Sequence, residues 1–241
     1  MNVELFITGW LTTSASLIRA GADDEPIRFP VPAFLVETAT ERILIDTGLH
    51  PGAVADPAGF YENPAALAAF VPEQEASIAD QVDLTTLTKV VLTHLHFDHA
   101  GALSLIPADV PLTIQRGEWA AGHDEAAVQR NFFLPSSYAS SERPVELVDG
   151  DHDLLGDGSV QLLSTPGHTP GHQSVQIGDL VVGADVTHFA SGLDDHRFPI
   201  FGADLEQQAR SAERLRALRD AGLTVLPGHD ADVLQPGPLA I

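Results

Sequence analysis

The stretch KVVLTHLHFDHAG (residues 89–101) places four side chains able to hold a metal, His94, His96, Asp98 and His99, within six positions, directly after a short apolar run. That run reads as a strand buried on both faces. If the strand ends at His94, the His-x-His alternation turns both imidazoles to one side of the backbone. Asp98 and His99 follow in the turn, where they reach a second point nearby. One histidine pair and one Asp–His pair are the beginnings of two adjacent metal sites.

Composition narrows what such sites can be. The chain has 241 residues, enough for one large domain with a buried core. Hydrophobic residues make up 44%, which points to a globular fold rather than disorder. The formal net charge is −22, from 34 acidic and 12 basic residues. A surface of that sign repels phosphate backbones and anionic bilayers, so neither nucleic acid nor a membrane is an expected partner. There is no cysteine. Disulfides, thiolate zinc sites and a cysteine nucleophile are excluded, and any metal must be held by His and Asp/Glu. The opening MNVELFITGWLTTSAS lacks a basic start and carries Glu4 inside its apolar run. No apolar stretch approaches the ~18 residues of a membrane span. The expectation is a cytoplasmic protein.

Outward from residues 89–101 the chain is punctuated into short elements. Strands are predicted over 3–10, 32–38, 42–48, 89–94 and 111–115, then over 145–149, 159–165, 173–178, 180–185 and 224–230. Residues 51–75 read as a long loop with a short helical piece, a candidate lid or binding loop. Residues 76–88 are compatible with a helix, as are 117–130. A longer helix is expected over 204–222, with Asp204 as its N-cap and Gly222 as its stop. RILIDTG and DLVVGAD both end a strand on an aspartate. His94 follows Asp46 by 48 residues and His229 follows Asp185 by 44, each at the end of a further apolar strand. The order suggests one domain, 1–241, of two pseudo-symmetric halves, roughly 1–144 and 145–241. Its expected class is α+β, a four-layer αββα sandwich with polar strand ends gathered at one rim.

More potential ligands follow other short strands: His168 and His172 in TPGHTPGH, Asp185 in GAD, and His229 in PGHD. His168 and His172 compete for one role on spacing alone. The ordered set H-x-H-x-D-H, then H, then D, then H resembles the metallo-β-lactamase-fold hydrolases, and the resemblance spans nearly the whole chain. It implies one zinc on His94, His96 and His168, a second on Asp98, His99 and His229, and Asp185 as the bridge. It further implies Asp46 as a supporting hydrogen-bond acceptor and His172 as a supporting residue. Two Zn²⁺ are the implied cofactor, with other divalent transition metals as substitutes. The implied chemistry is attack of a metal-bridging hydroxide on an acyl carbon.

Within that superfamily the chain is most similar to the N-acyl homoserine lactonases of quorum quenching, through HLHFDHAG, TPGHTPGHQS, IQRGEW and NFFLPS. Branches that use a cysteine ligand are ruled out by composition, and with 12 residues after His229 a glyoxalase II-like helical domain is not expected. The resemblance implies opening of a small-molecule lactone bearing an apolar acyl chain, in a monomer or a homodimer. Phe97, Phe132, Phe133 and Phe201 are the expected walls of the tail pocket, with Trp10, Phe60, Phe70 and Phe198 as further candidates. Asp98 and His188 are the catalytic candidates. His188 stands where these lactonases usually carry a tyrosine, and an imidazole there is able to donate a hydrogen bond or a proton. Other readings in view are a different lactone, ester or thioester hydrolase, pyridoxolactonase-like or glyoxalase II-like, and a metal-binding carrier without turnover.

Overall fold

Alternate residues of the central strands face opposite ways, and both faces are apolar. Ile43 and Ile45 point into one hydrophobic cluster and Leu44, between them, into another. A strand buried on both sides needs a layer over each face, and the chain supplies them. The computed structural model describes residues 1–60, 69–139 and 142–241. Its first sheet comprises β1 (Asn2–Ser14), β2 (Pro26–Glu37), β3 (Arg42–Ile45), β4 (Val71–Glu73), β5 (Lys89–Val91), β6 (Leu112–Gln115), β7 (Val145–Val148) and β13 (Gly237–Leu239), in the order β13-β1-β2-β3-β5-β6-β7, with β4 also on β1. The second comprises β8 (His152–Asp153), β9 (Val160–Ser164), β10 (Gln173–Ile177), β11 (Leu180–Ala184) and β12 (Thr224–Pro227), in the order β12-β11-β10-β9-β8.

The two sheets meet over Val36, Ile43, Ile45 and Val91 on one side and Val160, Leu162, Val175, Ile177 and Val182 on the other. The outer face of the first sheet, through Leu44, Val90 and Leu92, is covered by Ile78, Leu103 and Ile106 from short helical segments. The outer face of the second is covered by the helix Leu205–Asp220, whose Ala212 and Leu215 pack on Val181. This is the expected four-layer α+β sandwich. Asp204 caps that helix by accepting from the Gln207 N–H, and Gly222 follows it at φ +107°.

Three boundaries differ from expectation. The border between sheets does not fall at 144/145: β7 is the edge strand of the first sheet, and β13 returns to pair with β1. Residues 76–88 form only one turn of helix, Ile78–Gln81, and a 3₁₀ turn, Leu84–Thr86, because Asp83 caps a new start through the Thr85 N–H. The predicted helix 117–130 is two, Arg116–Gly122 and Glu125–Arg130, divided where Asp124 caps the second through the Ala127 N–H. Residues 61–68 of the expected 51–75 loop, Tyr61 among them, lie outside the described residues; either side are short helices, Pro51–Ala55 and Pro57–Phe60, and strand β4. Among the described residues no helix is long and apolar enough to cross a membrane.

The internal repetition becomes two parallel strand pairs. β3 runs beside β5 and β11 beside β12. Parallel neighbours end at the same edge, so Asp46 and His94, and likewise Asp185 and His229, emerge at one rim.

Leu162 is fully buried between the sheets. Leu162→Ala is expected to cost about 2–5 kcal/mol, read as a lower urea midpoint with an unchanged slope. A midpoint equal to the parent's would show that the two sheets do not share one core.

Candidate metal centre

The rim begins with a strained aspartate. Asp46, at the end of β3, has φ +58°, and Ala184, just before Asp185, has φ +46°. Left-handed backbone at a non-glycine residue is uncommon and persists where surrounding bonds over-determine it. Around Asp46 those bonds are its own N–H to the Val91 carbonyl and, to its carboxylate, the Thr93 N–H, the Thr93 hydroxyl and His99 Nδ1, all within 2.9 Å.

These bonds decide where each histidine carries its proton. His99 Nδ1–H donates to Asp46, leaving Nε2 with the lone pair. The Thr93 hydroxyl gives its proton to Asp46 and therefore accepts from His94 Nδ1–H, 3.0 Å away, so His94 also presents Nε2. His229 donates Nδ1–H to the Pro30 carbonyl at 2.8 Å and presents Nε2. His96 is turned the other way: Nε2–H donates to the Asn131 carbonyl at 2.9 Å and Nδ1 faces inward. His168 Nδ1 is buried with no hydrogen-bond partner.

The inward atoms form two groups about Asp185. His94 Nε2 and His168 Nε2 each lie 3.0 Å from His96 Nδ1. Asp185 Oδ2 is 3.3 Å from His168 Nε2 and 3.8 Å from His94 Nε2. On the other side Asp185 Oδ1 is 3.2 Å from His229 Nε2 and 3.4 Å from His99 Nε2, with Asp98 Oδ2 3.5 and 3.9 Å from the same two nitrogens. The seven residues expected from the sequence to be ligands are thus brought together. His172 is not among them: it accepts the Asp185 N–H on Nε2 at 3.1 Å and bonds Thr165 through Nδ1, which holds Asp185 in place.

This donor set fits divalent cations. The lone pairs of His94 and His96 face each other at 3.0 Å, which is repulsive unless a cation lies between them. Two nitrogens about 2.0–2.1 Å from one tetrahedral ion stand roughly 3.3–3.4 Å apart, close to what is seen. His99 Nε2 and Asp185 Oδ1 are buried and without hydrogen-bond partners. Electrostatics distinguishes the two groups. Burial pushes His94 and His168 well below the ordinary histidine range and His96 below it. Burial acts on His99 and His229 as well, but the carboxylates of Asp185, Asp98 and, for His99, Asp46 outweigh it, holding His99 well above the ordinary value and His229 above it. Burial would raise Asp185; the surrounding His229, His188 and His99 instead bring it well below the usual carboxylate range.

The centre lies at the base of a cavity of about 370 Å³ whose walls are Leu11, Leu17, Phe29, Ala69, Phe70, Phe97, Phe132, Ile200 and Phe201. Phe97, Phe132 and Phe201 line this cavity. Phe133 does not: it is buried in the core over the first sheet's outer face, its ring 5.6 Å from His96. The turn at Phe132, φ +56°, sends these neighbours in opposite directions. Of the further candidates only Phe70 lines the cavity; Trp10 stacks under the Arg28 guanidinium, Phe60 on His50, and Phe198 lies in the core beneath the helix Leu205–Asp220. His188 lines the cavity beside His168 and Asp185, with Nε2 3.5 Å from Asp185 Oδ2 and Nδ1 buried without a partner among the described residues. Burial lowers it to about 4, so near neutral pH it is a neutral N–H donor, not the imidazolium acid that its ordinary value would suggest.

The sequence did not point to Phe29, Ile200, Thr93 or Glu118. Glu118 is completely buried; burial raises its carboxyl to about 7 against the pull of three hydrogen bonds. A glutamate on the buried side of a helix's first turn was the available signal.

Comparison with known proteins agrees with this geometry. The family model described as the metallo-beta-lactamase superfamily matches residues 26–229. The chain is 30% identical over 232 residues to N-acyl homoserine lactonase AttM of Azorhizobium caulinodans, covering 88% of this chain and 85% of that one. It is 28% identical over 219 residues to N-acyl homoserine lactonase AiiA of Bacillus thuringiensis subsp. kurstaki, covering 86% and 83%. A solved N-acyl homoserine lactone hydrolase, with the product N-hexanoyl-L-homoserine bound at its catalytic metal center, superposes with a TM-score of 0.82 at 25% identity, covering 96% of this chain and 94% of that one.

In the metal-free chain the neighbouring carboxylates favour protons on His99 and His229, whereas burial disfavours them on His94, His96 and His168. A cation must displace the first set and not the second. Zinc added to metal-free protein at pH 7 is therefore expected to release protons, and the affinity of the Asp98–His99–His229 side to weaken as pH falls. Calorimetry in buffers of differing ionisation enthalpy measures this. Zinc uptake with no proton release would contradict the assigned protonation.

Proposed function

The chain belongs to the metallo-beta-lactamase superfamily, and from that premise we propose that it is an N-acyl homoserine lactone hydrolase working with two bound Zn²⁺. The observation that carries this reading is the seven-residue donor set, of which His96, Asp98, His168 and Asp185 line an otherwise largely apolar cavity. The names of its relatives support the substrate class. His94, His96 and His168 would hold one ion, Asp98, His99 and His229 the other, and Asp185 would hold both. When bound, such ions supply an activated water and polarise an acyl oxygen.

The remaining work falls to the chain's own groups. Water adds across the acyl C–O bond of the ring: its oxygen goes to the carbonyl carbon, and the ring oxygen departs and takes up a proton. The products are a carboxylate and an alcohol, with one proton released to solution. Leu11, Phe29, Phe70 and Phe201 take the acyl tail out of water and keep the surroundings of the reacting atoms poor in solvent, where fixed dipoles act most strongly. His188 is placed to donate from Nε2 to an oxygen of the ring. Among the described residues nothing bonds its Nδ1, so the ring's single proton is free to sit on the nitrogen that faces the site. The neutral lactone has no charge for the −22 surface to repel.

A pH-indicator assay over lactones of increasing acyl length, with a thioester panel beside it, tests the reading. Lactone turnover is expected, with kcat/KM rising up to about fourfold for each methylene that enters the cavity, the worth of ~0.8 kcal/mol. Brisk thioester hydrolysis without lactone turnover would overturn it. His188→Phe is expected to lower kcat on the order of 100-fold with little change in KM, the signature of a donor used in the transition state. An unchanged kcat would remove His188 from the reaction.

A further inference from the structure

Glu118 is a buried carboxyl group that hydrogen-bonds none of the residues assigned to the metals, yet it bonds the residues next to three of them. Its Oε1 accepts the Leu95 N–H at 3.0 Å, and Leu95 is the residue between His94 and His96. Its Oε2 accepts the Thr169 hydroxyl and the Gly171 N–H, both at 2.8 Å, and Thr169 follows His168. The first turn of the helix Arg116–Gly122 is pressed onto the second loop to make this possible. A Cβ on Gly171 would stand 2.1 Å from the Glu118 backbone nitrogen. The other group is held from elsewhere: His99 by Asp46, His229 by the Pro30 carbonyl.

We propose that Glu118 is a positioning residue for one ion only: it clamps the 94–96 turn to the 168–171 loop and so sets the spacing of His94, His96 and His168. Three donors converge on two oxygens, so the clamp is complete in the ionised carboxylate, which only accepts. A glutamine must turn its NH₂ toward the N–H of Leu95 or of Gly171, donor against donor, and the two loops are pushed apart. Because the three histidines come from loops on different sheets, their separation depends on such a cross-tie, whereas His99 sits on Asp46 whether or not Glu118 is present. The inference rests on the two-ion reading above and adds to it a residue that no ligand pattern contains.

The test compares zinc affinity in two backgrounds, each with and without Glu118→Gln. Asp98→Ala leaves the His94–His96–His168 side intact, and His96→Ala leaves the other. Metal-free proteins are titrated with zinc against a chromophoric chelator. Glu118→Gln is expected to weaken zinc about 10- to 100-fold in the Asp98→Ala background and to leave it unchanged in the His96→Ala background. Equal weakening in both would mean a general structural role, and no weakening in either would mean no role; each overturns the proposal. If Glu118→Gln does not fold, Thr169→Val removes one donor from the opposite loop, and a weakening confined to the Asp98→Ala background is again required. The unmutated chain reports separately on the two-ion reading: a single zinc equivalent there would sink that reading, while the selectivity for the His94 side would still be decided in the Asp98→Ala background.

Discussion

Lone pairs of buried imidazoles aimed at one another repel, and the fold is arranged to hold them so. His94 Nε2 and His96 Nδ1 face each other at 3.0 Å, and a carboxylate, Asp185, stands between them and a second set of nitrogens. No local preference of the chain would bring these groups together. Each is held from behind: Thr93 and Asp46 hold His94 and His99, the Asn131 carbonyl holds His96, and the Pro30 carbonyl holds His229. The same rear bonds fix the tautomers, so positioning and electron-pair direction are one device. Left-handed backbone at Asp46 and Ala184 is part of its cost, on the order of 1–2 kcal/mol each.

Two sheets are what make that cost bearable. The hydrophobic layer between them, from Val36 and Ile45 to Leu162 and Val182, holds the parallel pairs β3/β5 and β11/β12 against each other. Both pairs end at one rim, so the strands bring the donor-bearing loops together there, and hydrogen bonds between those loops set the finer distances. Apolar walls then do two things at once. They exclude water, which strengthens every charge interaction at the centre, and they offer a surface for an apolar chain.

Much of the centre was legible because its signals are local. HLHFDH packs four donors into six positions, and the remaining strand-end residues, His168, Asp185 and His229, each follow a short apolar run. What the pattern could not convey is which partner each residue meets. His168 and His172 are equivalent by spacing. Only the fold shows one facing the other donors and the other gripping the Asp185 backbone. Phe132 and Phe133 are neighbours with the same side chain, and a left-handed turn between two elements sends one to the cavity and the other to the core. Glu118 gave only a weak signal, a glutamate in the first turn of a helix, because its three partners lie 23, 51 and 53 positions away.

The sequence by itself determined the kind of donor, since there is no cysteine to ligate, and determined the short unbroken apolar runs that require strands buried on both faces. Both follow from side-chain chemistry and a two-residue repeat, which need no knowledge of distant contacts. Tertiary structure alone decided the protonation of His188, the walls of the cavity and the clamp at Glu118. Those depend on burial and on hydrogen bonds between segments far apart in the chain, and the free energy of a charge or a lone pair is set by what surrounds it in space, not by its neighbours in sequence.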